Sequence, residues 1–153
     1  MRINKLKAKW KAGEPTFGAW LSIGDPVVAE VAAQSGFDYI CVDMQHGGAD
    51  YTAAVAMLIA ISASDATPVV RVPWNEQGII GRMLDAGAMG IVIPMVNSPA
   101  EAEAAVASCR YAPLGARSFG PMRAMTYAGA DYFQHANAEV ACIPMIARSA
   151  GPT

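Results

Sequence analysis

Five short apolar runs, spaced along the chain by capped helical segments, set the strongest limit on what this sequence can fold into. The runs cover residues 16–23, 37–42, 67–72, 90–96 and 140–146, and they are nearly continuous in β-branched, aromatic and other apolar side chains. Continuous rather than alternating character predicts strands buried on both faces, as in a parallel sheet covered by helices. The segments between them open with helix-start signals. Asp25-Pro26 offers an N-cap with proline at the first helical position. Val27, Val28, Val31 and Ala32 then form the expected inward face, with Gly36 as the stop. Asp50 can cap a second helix burying Val55, Leu58, Ile59 and Ser62. Asn75 can cap a third burying Ile79, Ile80, Met83 and Leu84 before Gly87. Ser98-Pro99-Ala100-Glu101 has the form of a capping box, with its helix running to about Arg110. A long connection over 111–129 and a short helix over 131–139 precede the fifth run.

Repeated βα units leave two architectures, an open doubly wound sheet or a (β/α) barrel. No GxGxxG follows the first run, so the dinucleotide-binding alternative is the weaker one. The expected fold class is therefore α/β, an incomplete (β/α)8 TIM barrel with about five of eight βα units and parallel strands. The 153 residues fit one domain. Composition agrees with a deeply buried or partner-covered chain: 54% of residues are hydrophobic, only 16% are charged, and mean hydropathy is +0.27. Five strands leave open sheet edges, a liability that raises the expectation of a C-terminally truncated chain.

Charge and cysteine usage exclude several function classes. A net charge of −2 gives no basic excess to track a phosphate backbone, so no nucleic-acid partner is expected. The basic cluster Arg2, Lys5, Lys7, Lys9 and Lys11 lacks the apolar stretch of a secretory signal. No segment approaches the roughly 20 apolar residues of a membrane span, so the expected location is cytoplasmic. Cys41, Cys109 and Cys142 form no CxxC pair, and with His46 and His135 they complete no zinc spacing. Cys41 and Cys142 read as small apolar strand residues.

In βα folds the carboxyl ends of strands carry the chemistry. The second run ends in Asp43-Met44-Gln45-His46. His46 can carry a proton near neutral pH, and Asp43 could orient it through a ring nitrogen or simply cap a turn. Arg71 sits in the apolar run Val69-Val70-Arg71-Val72 and needs an anionic partner. That partner could be a substrate carboxylate or enolate, or an internal bridge to Asp43 or Asp85. Residues 110–121, with Arg110, Arg117, Gly115 and Gly120, could cradle an anion but read better as a solvated turn. Arg123 and Tyr127 could be substrate contacts or surface.

The series Phe17-Gly18-Ala19-Trp20-Leu21-Ser22, Val42-Asp43-Met44-Gln45-His46-Gly47, Val70-Arg71-Val72-Pro73, Leu84-Asp85-Ala86-Gly87-Ala88 and Ile93-Pro94-Met95-Val96-Asn97 resembles the HpcH/HpaI aldolase family. Arg110-Tyr111-Ala112-Pro113-Leu114-Gly115-Ala116-Arg117 continues the match in order. The resemblance implies that 1–153 is the N-terminal part of one aldolase barrel domain. It further implies a class II pyruvate aldolase, commonly homohexameric, that uses Mg²⁺, Mn²⁺ or Co²⁺. Such an enzyme cleaves 4-hydroxy-2-oxo acids, such as 4-hydroxy-2-oxoheptanedioate, to pyruvate and an aldehyde, so its small-molecule partners are a 2-oxo acid and an aldehyde. By resemblance His46 would be the base acting through water on the C4 hydroxyl, with Asp43 its partner. Arg71 would bind the enolate oxygen, and the metal would polarise the 2-oxo group. Gln45 and Asp85 would stand just behind the site, Asp85 near a subunit contact. Two departures follow. Ala147 occupies the position of the family's metal-binding glutamate, and a second ligand, an aspartate, would lie beyond Thr153. These leave open a chain that is an inactive fragment or an assembly remnant lacking the metal site. A weaker alternative is a lyase acting on a citryl or malyl thioester.

Overall fold

The computed structural model describes residues 1–146. All five expected strands form: β1 Gly18–Leu21, β2 Tyr39–Asp43, β3 Thr67–Arg71, β4 Gly90–Ile93 and β5 Ala141–Pro144. They pair in parallel in the order β1-β2-β3-β4-β5. Sequential order means that every crossover steps the same way, as in a barrel; a doubly wound sheet would reverse at a switch point. The chain thus forms an α/β barrel segment of five parallel strands. Seven helices accompany it among the described residues: α1 Lys5–Lys11, α2 Pro26–Ala33, α3 Tyr51–Ser62, α4 Gln77–Asp85, α5 Pro99–Cys109, α6 Met122–Ala128 and α7 Tyr132–Glu139.

Side chains alternate between the two faces of the sheet. Ile40, Val42, Val70, Ile91 and Ile93 pack with Ala29, Ala54, Met57, Leu58, Ile61, Ile80, Met83 and Leu84 into the helix-side core. Cys41, Val69 and Val92 face the other way and form a smaller inner cluster with Leu6. Leu6 is the plug that α1 supplies. Asn4 fixes the plug: its Oδ1 accepts the Lys7 N–H at 3.1 Å, and its Nδ2 donates to Met89 O at 2.9 Å and Glu139 O at 2.8 Å. The basic N-terminal cluster is thus a capped helix at the amino-terminal end of the strands. Among the described residues no helix is long and apolar enough to cross a membrane.

Several local expectations change. The Asp25 cap forms, its Oδ1 accepting the Val27 N–H at 2.7 Å, yet Val27 and Val31 are exposed and α2 buries Ala29 and Ala33 instead. In α3 the buried set is Ala54, Met57, Leu58 and Ile61, while Ile59 faces outward. Both helices are apolar almost all round, so periodicity alone does not select the face that meets the sheet. Asn75 does not cap α4; its Nδ2 donates to Glu101 O at 3.1 Å, and Glu76 takes the N-cap position. The Ser98 cap forms, with Ser98 accepting the Glu101 N–H at 3.3 Å, and Glu101 reaches back one residue past the cap to accept the Asn97 N–H at 2.7 Å.

Candidate functional site at the carboxyl ends of β1, β2 and β3

Asp43 and Arg71 are register partners on adjacent strands. Each lies two residues beyond an inner-face side chain, Cys41 and Val69 respectively, so both project inward at the carboxyl end of the sheet. Arg71 Nε donates to Asp43 Oδ1 at 2.8 Å and its Nη2 to Oδ2 at 2.5 Å, a two-point fork. Asp43 is buried and the Arg71 side chain is 12% exposed. Trp20 of β1 completes the cluster. Its Nε1 donates to Asp43 Oδ2 at 3.2 Å, and its ring centroid lies 5.0 Å from the Arg71 guanidinium carbon.

The loop after β2 is folded back on the same carboxylate. Asp43 Oδ1 accepts the main-chain N–H of Gln45 at 3.0 Å and of His46 at 3.2 Å. Gly47 makes that fold possible: a Cβ there would lie 2.3 Å from Asp43 O and 3.0 Å from Ser22 O. Burial alone would raise the Asp43 carboxyl. The hydrogen bonds from Arg71, the His46 N–H, Trp20 and the Gln45 N–H outweigh it and hold the group well below the usual carboxylate range. The same pairing raises Arg71.

Spacing suggested an Asp43 carboxylate aimed at a ring nitrogen of His46. The structure instead gives that carboxylate to Arg71, to Trp20 and to the main chain of His46. The imidazole is exposed, and among the described residues it meets no hydrogen-bond partner. Gln45 sits beside the cluster with its Oε1 buried and unpartnered. Of the two internal partners weighed for Arg71, Asp43 is the one that forms. Asp85 ends α4, whose chain has already returned toward the amino-terminal edge of β4, and its Oδ1 accepts from Arg117 Nη2 at 2.8 Å.

Much of segment 110–121 is exposed, as a solvated turn would be, but Arg117 within it is not. Arg117 is buried, donates to the Tyr132 hydroxyl at 3.0 Å, and stacks 4.4 Å from the Tyr111 ring centroid. Arg123 is likewise structural, donating to Ala86 O at 2.5 Å and Ser62 Oγ at 2.9 Å and so joining the ends of α3 and α4. Two features near the site escaped the sequence reading. Trp20 reads there as one more apolar strand residue. Met95, just past β4, has φ +59°, a conformation costly for a side-chain-bearing residue and typical of constrained site loops.

The model of the HpcH/HpaI aldolase/citrate lyase family matches residues 16–148. The chain belongs to this family. It is 39% identical over 144 residues to a hydroxypyruvate/pyruvate aldolase of Rhizorhabdus wittichii, an alignment covering 94% of this chain and 57% of that protein. It is 38% identical over 150 residues to the 5-keto-4-deoxy-D-glucarate aldolase of Salmonella newport, covering 97% of this chain and 59% of that one. A crystal structure of an HpcH/HpaI aldolase/citrate lyase family protein from Burkholderia cenocepacia superposes with a TM-score of 0.86 at 38% identity, covering 93% of this chain and 59% of that one. This HpcH/HpaI-family chain therefore spans 57–59% of the length of the relatives it matches here.

The resemblance implies a divalent metal, and the described residues do not fit one. No group of three His, Cys, Asp or Glu side chains among them could hold an ion. The carboxylate nearest the site, Asp43, has both oxygens committed to Arg71. Ala147, the position expected for a metal-binding glutamate, lies outside the described residues.

Proposed function

We propose that this chain carries the 2-oxo-acid-binding and proton-handling face of an aldolase that cleaves 4-hydroxy-2-oxo acids to pyruvate and an aldehyde. The observation that carries the reading is the Arg71–Asp43 fork at the carboxyl end of the strands, with His46 exposed on the loop that Asp43 pins. The fork uses Nε and Nη2, which leaves Nη1 of Arg71 to face an anion. A guanidinium held in this way loses little freedom when an enolate oxygen or carboxylate binds.

In the cleavage direction His46 accepts the proton of the C4 hydroxyl, directly or through one water. The C4–O bond becomes a carbonyl, the C3–C4 bond breaks, and its electron pair moves into the C2–C3 enolate. The charge that builds on the C2 oxygen lies within reach of the Arg71 cation. Protonation at C3 then gives pyruvate. Asp43 is a positioning residue for Arg71 and for the His46 main chain, and Gln45 supports the same loop. Asp85 has no part in this step within one chain. Mg²⁺, Mn²⁺ or Co²⁺ is what the family resemblance implies, but no step is assigned to it, because the described donors do not hold an ion.

A second reading, in which the 153-residue chain binds 2-oxo acids without turning them over, draws on that same donor set. Pyruvate release from a 4-hydroxy-2-oxo acid, assayed with Mn²⁺ supplied, separates the two. Turnover that falls by about 10²-fold or more in His46→Ala supports the aldolase reading with His46 as base. Saturable pyruvate binding without turnover supports the second. Turnover within a few fold of the parent in His46→Ala removes the assigned base.

A further inference from the structure

The cleavage step assigns no part to Trp20, although its indole touches both members of the Arg71–Asp43 pair. Trp20 is the register partner of Cys41, and Cys41 of Val69, so these residues share one row and one face of the sheet. That face is the inner one. Asp43 and Arg71 are the next inward pair toward the carboxyl end. The Trp20 side chain therefore starts one row below the fork and reaches up to it. All the groups involved come from the adjacent strands β1, β2 and β3.

Each part of the indole meets the charge that suits it. The Nε1–H can only donate, and it donates to the Asp43 carboxylate at 3.2 Å, a charge-assisted contact. The ring is a π face that attracts a cation, and the Arg71 guanidinium carbon lies over it at 5.0 Å. Asp43 Oδ1 already accepts from Arg71 Nε and from the main chain of Gln45 and His46. Its Oδ2 accepts Arg71 Nη2 and the Trp20 N–H. The carboxylate thus occupies Nε and one N–H of Nη2, and the indole occupies a further side of the guanidinium. What is left for a ligand is the end edge, formed by Nη1 and the second N–H of Nη2.

We propose that Trp20 is a positioning residue: by holding Asp43 and Arg71 together, it fixes the edge of the guanidinium that an anion meets. The identity of that anion rests on the 2-oxo-acid reading above, whereas the restraint on Arg71 does not. The end edge presents its N–H groups in one plane, which matches two oxygens of a 2-oxo acid or of its enolate. A long side chain that could leave the fork would have to be ordered again at each binding event, and affinity would be lost. Trp20 touches no reacting atom and acts only through Arg71 and Asp43.

The test compares the 153-residue chain with Trp20→Phe and Trp20→Leu. Phenylalanine keeps a ring for the guanidinium and loses the N–H, while leucine loses both. Each chain is examined for water exchange of the Arg71 Nε–Hε proton by NMR without ligand, and for pyruvate affinity by calorimetry. Exchange should be at least about tenfold faster in Trp20→Leu, with Trp20→Phe between it and the parent. Pyruvate binding should weaken in the same order, by about tenfold in Trp20→Leu. The main-chain signals of β2 and β3 should stay in place. An Arg71 exchange rate in Trp20→Leu within about twofold of the parent value would overturn the proposal. So would unchanged pyruvate affinity in both variants of a parent that binds it, or β2 and β3 signals displaced throughout, which would make Trp20 a packing residue. Should Trp20→Leu not fold, Trp20→Phe decides: faster Arg71 exchange supports the proposal and parent-like exchange overturns it. Faster exchange in the variants of a parent that binds no pyruvate supports the restraint on Arg71 and removes the 2-oxo-acid reading alone.

Discussion

Both carboxylate oxygens of Asp43 are committed, and the consequences reach three elements. Asp43→Asn removes the charge that balances a largely buried Arg71. Breaking one side of such a pair is expected to cost about 3–5 kcal/mol, read as a lower urea midpoint at unchanged slope. The pH dependence follows from the direction of the Asp43 shift. Its folded value lies below the unfolded one, so its stabilisation is fully present above the unfolded carboxylate value of about 4. It is lost as the pH falls from there through the depressed folded value. Urea midpoints measured from pH 6 down to pH 2 should fall in the parent chain, and less steeply in Asp43→Asn. His46 is the opposite case: its ring is exposed and unpartnered, so His46→Ala should change stability by no more than about 0.5 kcal/mol while removing the proposed base. At this scale the sequence disclosed Arg71 because a charge inside an apolar run demands a partner, and Asp43 because it closes the second run three residues before His46. It did not disclose which partner. The fork depends on strand register, and register is set by pairings across more than twenty residues.

Elements were legible where the chain carries local punctuation. The caps at Asp25, Asp50 and Ser98 and the continuous apolar runs all produced the elements they announce. The inward faces of α2 and α3 were not legible, since Val, Ile and Ala occur around the whole circumference and only contact with the sheet chooses among them. Helix α1 was missed because five basic residues between 2 and 11 hide one apolar anchor, Leu6. Leu6 is 1% exposed against Cys41, Val69 and Val92. Leu6→Ala should therefore cost about 2–5 kcal/mol, checked by thermal unfolding, whereas Lys11→Ala at the exposed end of the same helix should be nearly neutral. Gly47→Ala tests the loop after β2. A Cβ against Asp43 O at 2.3 Å must displace backbone, so stability should fall and the His46 main-chain bond should weaken together.

Across the whole molecule the inner face divides into two zones. Leu6, Cys41 and Val69 fill the amino-terminal part with apolar packing, and Val92, level with Arg71, extends that packing beside the polar groups. Trp20, Asp43, Arg71 and the loop bearing His46 occupy the carboxyl-terminal part with polar groups. This is the division of a barrel in which one end provides stability and the other chemistry. The α/β class and the parallel arrangement were legible because only a sheet covered by helices accommodates five continuous apolar runs. The sequential strand order was legible only through the preference for a barrel over a doubly wound sheet, since local patterns by themselves say nothing of which strand lies beside which. The burial of Arg117 with Asp85 and Tyr132 was hidden for the same reason, because its partners come from α4 and α7. The central claim, that Arg71 held by Asp43 receives a 2-oxo acid, is tested most directly by titrating the chain with pyruvate while following the Arg71 Nε–Hε signal by NMR. The expected result is a saturable shift of that signal, with binding weakened at least about tenfold in Arg71→Lys, whose point charge cannot reproduce the fork. An Arg71 signal that does not move at saturating pyruvate, or equal binding by Arg71→Lys, would contradict it.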